Sequence, residues 1–196
     1  MSRVKCLFLA VSLFLFIGCS TTFTSRNEFH IWGDVVHQML QHEHESSTDF
    51  QVRVFQTMRV FTRQTGYESS GYFCQSPEGR GGIIIYTWHA HFSSPNIMSC
   101  PLDLGGFSEF GEFVHTHPLP GVYHHTPQDV IVQNRDRIFF KKSTSSVARL
   151  SLKNAQKFSD QDFKIGPGWV IVDNLVFHQE GRGTERLVME LPDPGE

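Results

Sequence analysis

The run Glu109-Phe-Gly-Glu-Phe-Val-His115-Thr-His117, ahead of Pro118, constrains this chain more than any other segment. It reads as a β-strand that stops at the proline, which cannot donate to a sheet ladder. Alternate residues of a strand point to one side, so the imidazoles of His115 and His117 project together and can share one metal ion. Two histidines and a carboxylate, with the fourth position left to water, make an open catalytic zinc site. A separate glutamate then serves as general base, and Glu68, shortly before Gly71, is the candidate.

The first residues read as a targeting segment rather than as fold. Arg3 and Lys5 precede a nearly continuous apolar stretch, Leu7 to Ile17, too short to span a bilayer comfortably. It runs into Phe16-Ile17-Gly18-Cys19-Ser20, which resembles the bacterial lipobox. The resemblance implies removal of residues 1–18 as a signal peptide and lipidation of Cys19. Phe16 stands where leucine is usual, so plain cleavage and an uncleaved anchor stay open. Ser20, in place of aspartate, resembles an outer-membrane sorting signal. The expectation is a lipid-anchored protein of the bacterial cell envelope, at the outer membrane and facing the periplasm. Residues 19–30 would be a polar tether, residues 31–191 the domain, and residues 192–196 a frayed tail.

About 180 residues remain after such a cleavage, enough for one domain with a real core. Eighteen phenylalanines point to a dense aromatic interior. The net charge is −3 and no basic run with interleaved aromatics occurs, so nucleic acid is not an expected partner. Two of the four cysteines lie in the leader, which leaves Cys74 and Cys100. In an exported domain they are expected to form a disulfide between strands flanking the site, worth about 3 kcal/mol of loop closure. Two buried free thiols are the alternative.

Apolar spacing predicts an amphipathic helix over 32–44, with His42, Glu43, His44 and Glu45 on its solvated face, and a second helix over 48–64 stopped by Gly66. Strands are expected over 71–75 and 83–89, then a loop from Ser93 to Ser108. Thr126 with Pro127 reads as a helix start. Residues 137–140 and 147–152 read as extended. A helical turn opens at Phe158-Ser159-Asp160-Gln161-Asp162 and ends at Gly166, and a hairpin turns at Asp173-Asn174. Gly181-Arg-Gly183 is a turn, and 186–191 a last strand. The class is α/β (α+β), helices first and then a sheet. His89-Ala-His91 repeats the His-x-His pattern without a following proline or acid and reads as structural. His124-His125 reads as a loop lining the cleft, with surface exposure favoured over contact with a substrate.

Glu68-Ser-Ser-Gly71-Tyr-Phe, His115-Thr-His117-Pro118 and a later Ser-x-x-Asp resemble the JAMM (JAB1/MPN/Mov34) metalloprotease family. Phe158-Ser159-Asp160-Gln161-Asp162, followed by Gly166-Pro-Gly-Trp-Val-Ile-Val172, is similar more narrowly to bacterial JAB-like proteins of the DUF4329 type. The resemblance spans about residues 50 to 190. It implies a JAB/MPN-like (cytidine-deaminase-like) mixed sheet flanked by helices. It also implies a Zn2+ ion on His115, His117 and one aspartate. Asp162 is preferred for that ligand. Asp129, in Thr126-Pro-Gln-Asp129, is the alternative, standing one residue further from the histidines than is usual. Glu68 would be the general base, and Ser159 would stabilise the oxyanion. Iron or manganese would accept similar ligands. The implied activity is that of a zinc-dependent peptidase or isopeptidase on an exported lipoprotein, acting on cell-wall peptides or a small protein. A catalytically silent scaffold or binding lipoprotein is the alternative.

Overall fold

The structure, a computed structural model, describes residues 33–104, 109–135 and 147–193. The leader, Cys19 and the tether lie outside the described residues, as does the extended segment expected over 137–140.

A seven-stranded sheet organises the chain, in the order β1 (Asp34–Leu40), β3 (Gly81–Thr87), β2 (Ser70–Gln75), β4 (Glu109–His117), β7 (Gly168–Val172), β8 (Leu175–Gln179), β9 (Arg186–Glu190). Every pairing is antiparallel except the central one, where β4 runs parallel to β7. A two-stranded ribbon, β5 (Gly121–His124) with β6 (Val147–Leu150), stands apart from the sheet. The class is α+β, with a mostly antiparallel mixed sheet and few helices.

One long helix covers one face. In α1 (Ser47–Thr65), Phe50, Val54, Phe55 and Met58 repeat at helical spacing and are buried. They pack on Ile83 and Ile85 of β3, Val114 of β4, Ile171 of β7 and Val176 of β8. Ser46 caps the helix by accepting the Asp49 N–H, and Gly66 ends it in a left-handed conformation at φ 76°. On the other face lie α3 (Leu152–Ala155) and α4 (Asp160–Ile165), with Ala155, Val170 and Val172 in a smaller core beside Phe158 and Phe177.

The expected helix over 32–44 is instead strand β1, so a strand precedes the first helix. Its apolar residues fit a helical stripe as well as a short strand, and local pattern cannot choose between them. The free edge of β3 decides, pairing with β1 from Asp34↔Thr87 to Leu40↔Gly82 around a bulge between Val35 and His37. This buries Met39 in the core. His42 and Glu43 are consequently exposed loop residues and His44 sits in a turn at φ 66°, not on a helix.

The strand expected to reach His89 stops at Thr87, and β6 stops at Leu150 because Ser151 caps α3. The tail is held further than expected. Leu191 is buried, and the Pro192 carbonyl accepts from the Arg59 guanidinium at 2.7 Å. Arg63 pairs with Asp173 and Asp193. Gly71 is dictated by strand approach, since a Cβ there would stand 2.5 Å from the Ile84 carbonyl oxygen.

Candidate metal centre

The histidine strand projects its side chains as its alternation demands. Val114 and Thr116 face α1, where the hydroxyls of Thr116 and Thr62 are hydrogen-bonded at 2.6 Å. His115 and His117 face the opposite side, towards α3 and α4. Their Nε2 atoms stand 3.1 Å apart. The Asp162 Oδ1 atom lies 3.5 Å from the His115 Nε2 atom. Two donors sharing a tetrahedral ion at about 2.0–2.1 Å each stand about 3.3 Å apart, so these spacings suit an ion between them. Among the described residues, His115, His117 and Asp162 form the cluster that could hold a metal ion, with donor atoms all within 4.8 Å of one another.

Neighbouring groups fix each donor. The Nδ1–H group of His117 donates to the Ala155 carbonyl at 2.5 Å. A carbonyl only accepts, so in the neutral ring the lone pair falls on Nε2, the atom facing Asp162 and His115. Ser159 caps α4 in a capping box. Its N–H donates to Asp162 Oδ2 at 2.5 Å, while its hydroxyl oxygen accepts the Asp162 N–H. One carboxylate oxygen is thereby held and the other faces the imidazoles. The His115 ring stacks on Phe113, with centroids 5.3 Å apart and planes at 27°.

Burial sets the charge states. It drives His115 below the ordinary imidazole range against the pull of Asp162. Burial, with His115 alongside, pushes His117 down to about 4. Both rings are therefore neutral at neutral pH, the state a metal needs. Burial also opposes ionisation of Asp162, but His115 and the hydrogen bonds from Ser159 outweigh it and hold the carboxyl below its usual value. Glu68 behaves oppositely: burial first, then the negative charges of Asp162 and Asp129, raise its carboxyl well above the usual range.

Glu68, His115, His117, Ser159 and Asp162 line one cavity of about 390 Å³, with Trp88 and Phe113 among its apolar walls. Glu68 is brought there by backbone pairing. The N–H of Ser69 donates to the Thr116 hydroxyl at 2.9 Å, the N–H of Thr116 donates to the Ser69 carbonyl at 2.9 Å, and Ser70 pairs with His115. A cavity of similar volume at the opposite end of β4, lined by Phe50, Phe73 and Glu109 among others, has no such cluster.

Asp129 does not join the donor set. It is buried in the first turn of α2 (Pro127–Arg135), and its carboxylate accepts from the N–H and the Nδ1–H of His91 and from the N–H and hydroxyl of Thr126. The pair expected on one strand, His89 and His91, is split by a turn in which His89 has φ 55°, and each ring meets its own carboxylate. His89 contacts Asp34 at 3.0 Å, and His91 contacts Asp129. His124 ends β5 and is exposed, and His125 packs against Phe92, so neither lines the cavity. Cys74 and Cys100 are bridged, but Cys100 lies in a loop rather than on a strand. Trp88, Phe92 and Asn96 also wall the cavity without any mark in the sequence, since local composition does not show which side chains face a cavity.

Comparison of the chain with protein-family models, with curated proteins and with solved structures finds no match.

Proposed function

We propose that the domain is a metal-dependent amide hydrolase of the JAMM type, with a JAB/MPN-like fold. One observation carries the reading: three donor atoms converge from His115, His117 and Asp162, and a buried glutamate of raised basicity lines the same cavity. Those three residues would hold the ion, and zinc suits a set of two imidazoles and one carboxylate with a position left open. When bound, the ion supplies a Lewis acid that acidifies water and polarises the scissile carbonyl. Glu68 takes a proton from the attacking water as the C–O bond forms and returns it to the amine as the C–N bond breaks. A carboxyl of raised pKa suits a group that must both accept and give up that proton near neutrality. Ser159 lines the cavity beside Asp162, where its hydroxyl would donate to the developing oxyanion. Trp88 and Phe113 would exclude bulk water.

The substrate class we propose is a peptide or isopeptide, with cell-wall cross-links or a small protein as the target. This follows from the lipid anchor proposed at Cys19 and an outer-membrane location facing the periplasm. The test uses residues 20–196 loaded with zinc. Cleavage of one member of a muropeptide and protein panel, abolished by a chelator and restored by zinc, is the expected result. Full zinc occupancy with no cleavage across the panel would point to a binding domain, and failure to take up any metal would overturn the reading.

A further inference from the structure

We propose that Asp129 and His91 form a positioning device for Glu68, acting through the single peptide group between Ala90 and His91. The N–H of that peptide donates to Asp129 Oδ1 at 2.7 Å. Its carbonyl, pointing the other way across the same rigid plane, accepts the Glu68 N–H at 2.9 Å. A chain of hydrogen bonds thus runs from a buried carboxylate through one peptide to the backbone of the glutamate. Each bond polarises the next, and the anionic end strengthens both.

The surroundings keep this link rigid. Asp129 Oδ2 accepts the His91 Nδ1–H at 2.8 Å and the Thr126 N–H at 2.7 Å, so the carboxylate is fixed to the start of α2 and to the ring of the same residue whose N–H it holds. That ring packs between Tyr67 and Tyr123, with centroids 5.2 and 5.0 Å away. Ala90 is buried. The other side of Glu68 is held by the Thr87 hydroxyl, which donates to the Glu68 carbonyl at 2.8 Å. His89, at φ 55°, is the residue whose left-handed conformation turns the chain so that Ala90 and His91 reach both partners. A non-glycine residue in that region is strained and persists only where its surroundings over-determine it.

The consequence for turnover rests on the hydrolase reading, but the link itself does not. A general base works only within hydrogen-bond reach of the proton it abstracts. Asp129 touches neither the metal donors nor, by this account, the substrate. Loss of the link should therefore lower kcat while leaving KM and zinc affinity unchanged.

The experiment is residue-resolved amide hydrogen exchange on Asp129→Asn and His91→Phe, metal-free and with zinc alone, beside zinc titration and turnover. Asp129→Asn keeps the shape of the cap but sets an amide donor against donors. His91→Phe keeps an aromatic ring in the packing, removes both ring nitrogens and with them the Nδ1 donor, and leaves the backbone N–H at that position in place. The Glu68 amide should exchange at least about tenfold faster in Asp129→Asn, and less so in His91→Phe, while amides of the histidine strand keep their protection. Zinc binding should stay at one ion per chain. Unchanged exchange at Glu68 in whichever variant folds would overturn the proposal. So would loss of zinc, which would make Asp129 a ligand, or uniform acceleration across the sheet, which would make its role general stability. If the unsubstituted chain binds no zinc, the hydrolase reading fails while the exchange result still decides the positioning role.

Discussion

Asp129 turns both carboxylate oxygens to His91, taking its backbone N–H at 2.7 Å and its ring Nδ1–H at 2.8 Å. Asp162 spends one oxygen on the Ser159 N–H and leaves the other 3.5 Å from the His115 Nε2 atom. The two acids are built alike, each at the third position of a helix and each bonded to the N–H of a hydroxyl residue three positions earlier. His91 distinguishes them: it bonds both oxygens of Asp129, its ring reaching the same oxygen that takes the Thr126 N–H, whereas the free oxygen of Asp162 faces the imidazoles.

Metal content follows from this difference. The chain should bind one zinc ion, and His117→Ala or Asp162→Ala should each reduce occupancy to background at micromolar zinc. Asp129→Asn should keep it. Elemental analysis of the purified variants checks this, and zinc retained by Asp162→Ala would remove Asp162 from the site.

Glu68→Gln should keep zinc and lower kcat by about 10²–10⁴-fold, the range for loss of a general base. The same change should stabilise the metal-free fold. A carboxyl raised by burial contributes most below its unfolded-state pKa, and stability falls as pH rises from there through the folded-state value. The advantage of Glu68→Gln in melting temperature should therefore be small near pH 4 and grow towards neutrality. An advantage that shrinks with rising pH would contradict the assignment.

The Cys74–Cys100 bridge joins β2 to the loop that supplies Phe92 and Asn96 to the cavity. Three hydroxyl bonds also hold that loop: Ser70 donates to the Pro95 carbonyl, Tyr72 donates to the Asn96 side chain at 2.6 Å, and the hydroxyls of Tyr86 and Ser99 are hydrogen-bonded at 2.5 Å. Cys74→Ala with Cys100→Ala should cost about 3 kcal/mol by the chain-entropy account. Denaturant unfolding checks this, and the fold with its remaining loop bonds should persist.

Glu45 takes the Arg53 guanidinium in two hydrogen bonds, at 2.7 and 2.8 Å, and Arg53 also donates to the Leu40 carbonyl. The Arg53 side chain foremost, against a modest burial cost, lowers the Glu45 carboxyl to about 2. Its contribution is present above the unfolded carboxylate pKa and is lost as pH falls from there through about 2. Arg53→Met should lower stability by about 1 kcal/mol at pH 7 and by less at pH 2.5, measured by urea titration at both values.

Gly71→Ala should destabilise by about 1–3 kcal/mol, because the added methyl meets the Ile84 carbonyl of a paired strand that cannot retreat without breaking its ladder. A neutral result in the same unfolding assay would mean that β2 and β3 can separate locally.

Several elements are legible in the sequence. Helix α1 announces itself by Phe50, Val54, Phe55 and Met58 with Gly66 behind them. The hairpin at Asp173-Asn174 and the histidine strand follow from turn chemistry and period-two alternation. Strand β1 was not legible, because seven residues with apolar groups at mixed spacing satisfy both periods, and the partner that decides between them lies more than 40 residues away. His91 and Asp129 were not joined either, since neither carries any mark of the other, 38 positions apart.

The sequence by itself determined what is local: which faces His115 and His117 share, where helices begin at Thr126 and Ser159, and which residue types could ligate a metal. These follow from bond geometry and from hydrogen bonds that span a few residues. Tertiary structure alone decided which acid faces the histidines, how Glu68 comes beside them, and why its carboxyl is pushed up. Those depend on burial and on partners brought together by the register of β2 on β4 and the packing of α3 and α4 below the sheet. Desolvation and long-range pairing are properties of the folded neighbourhood, and no segment of the chain carries them alone.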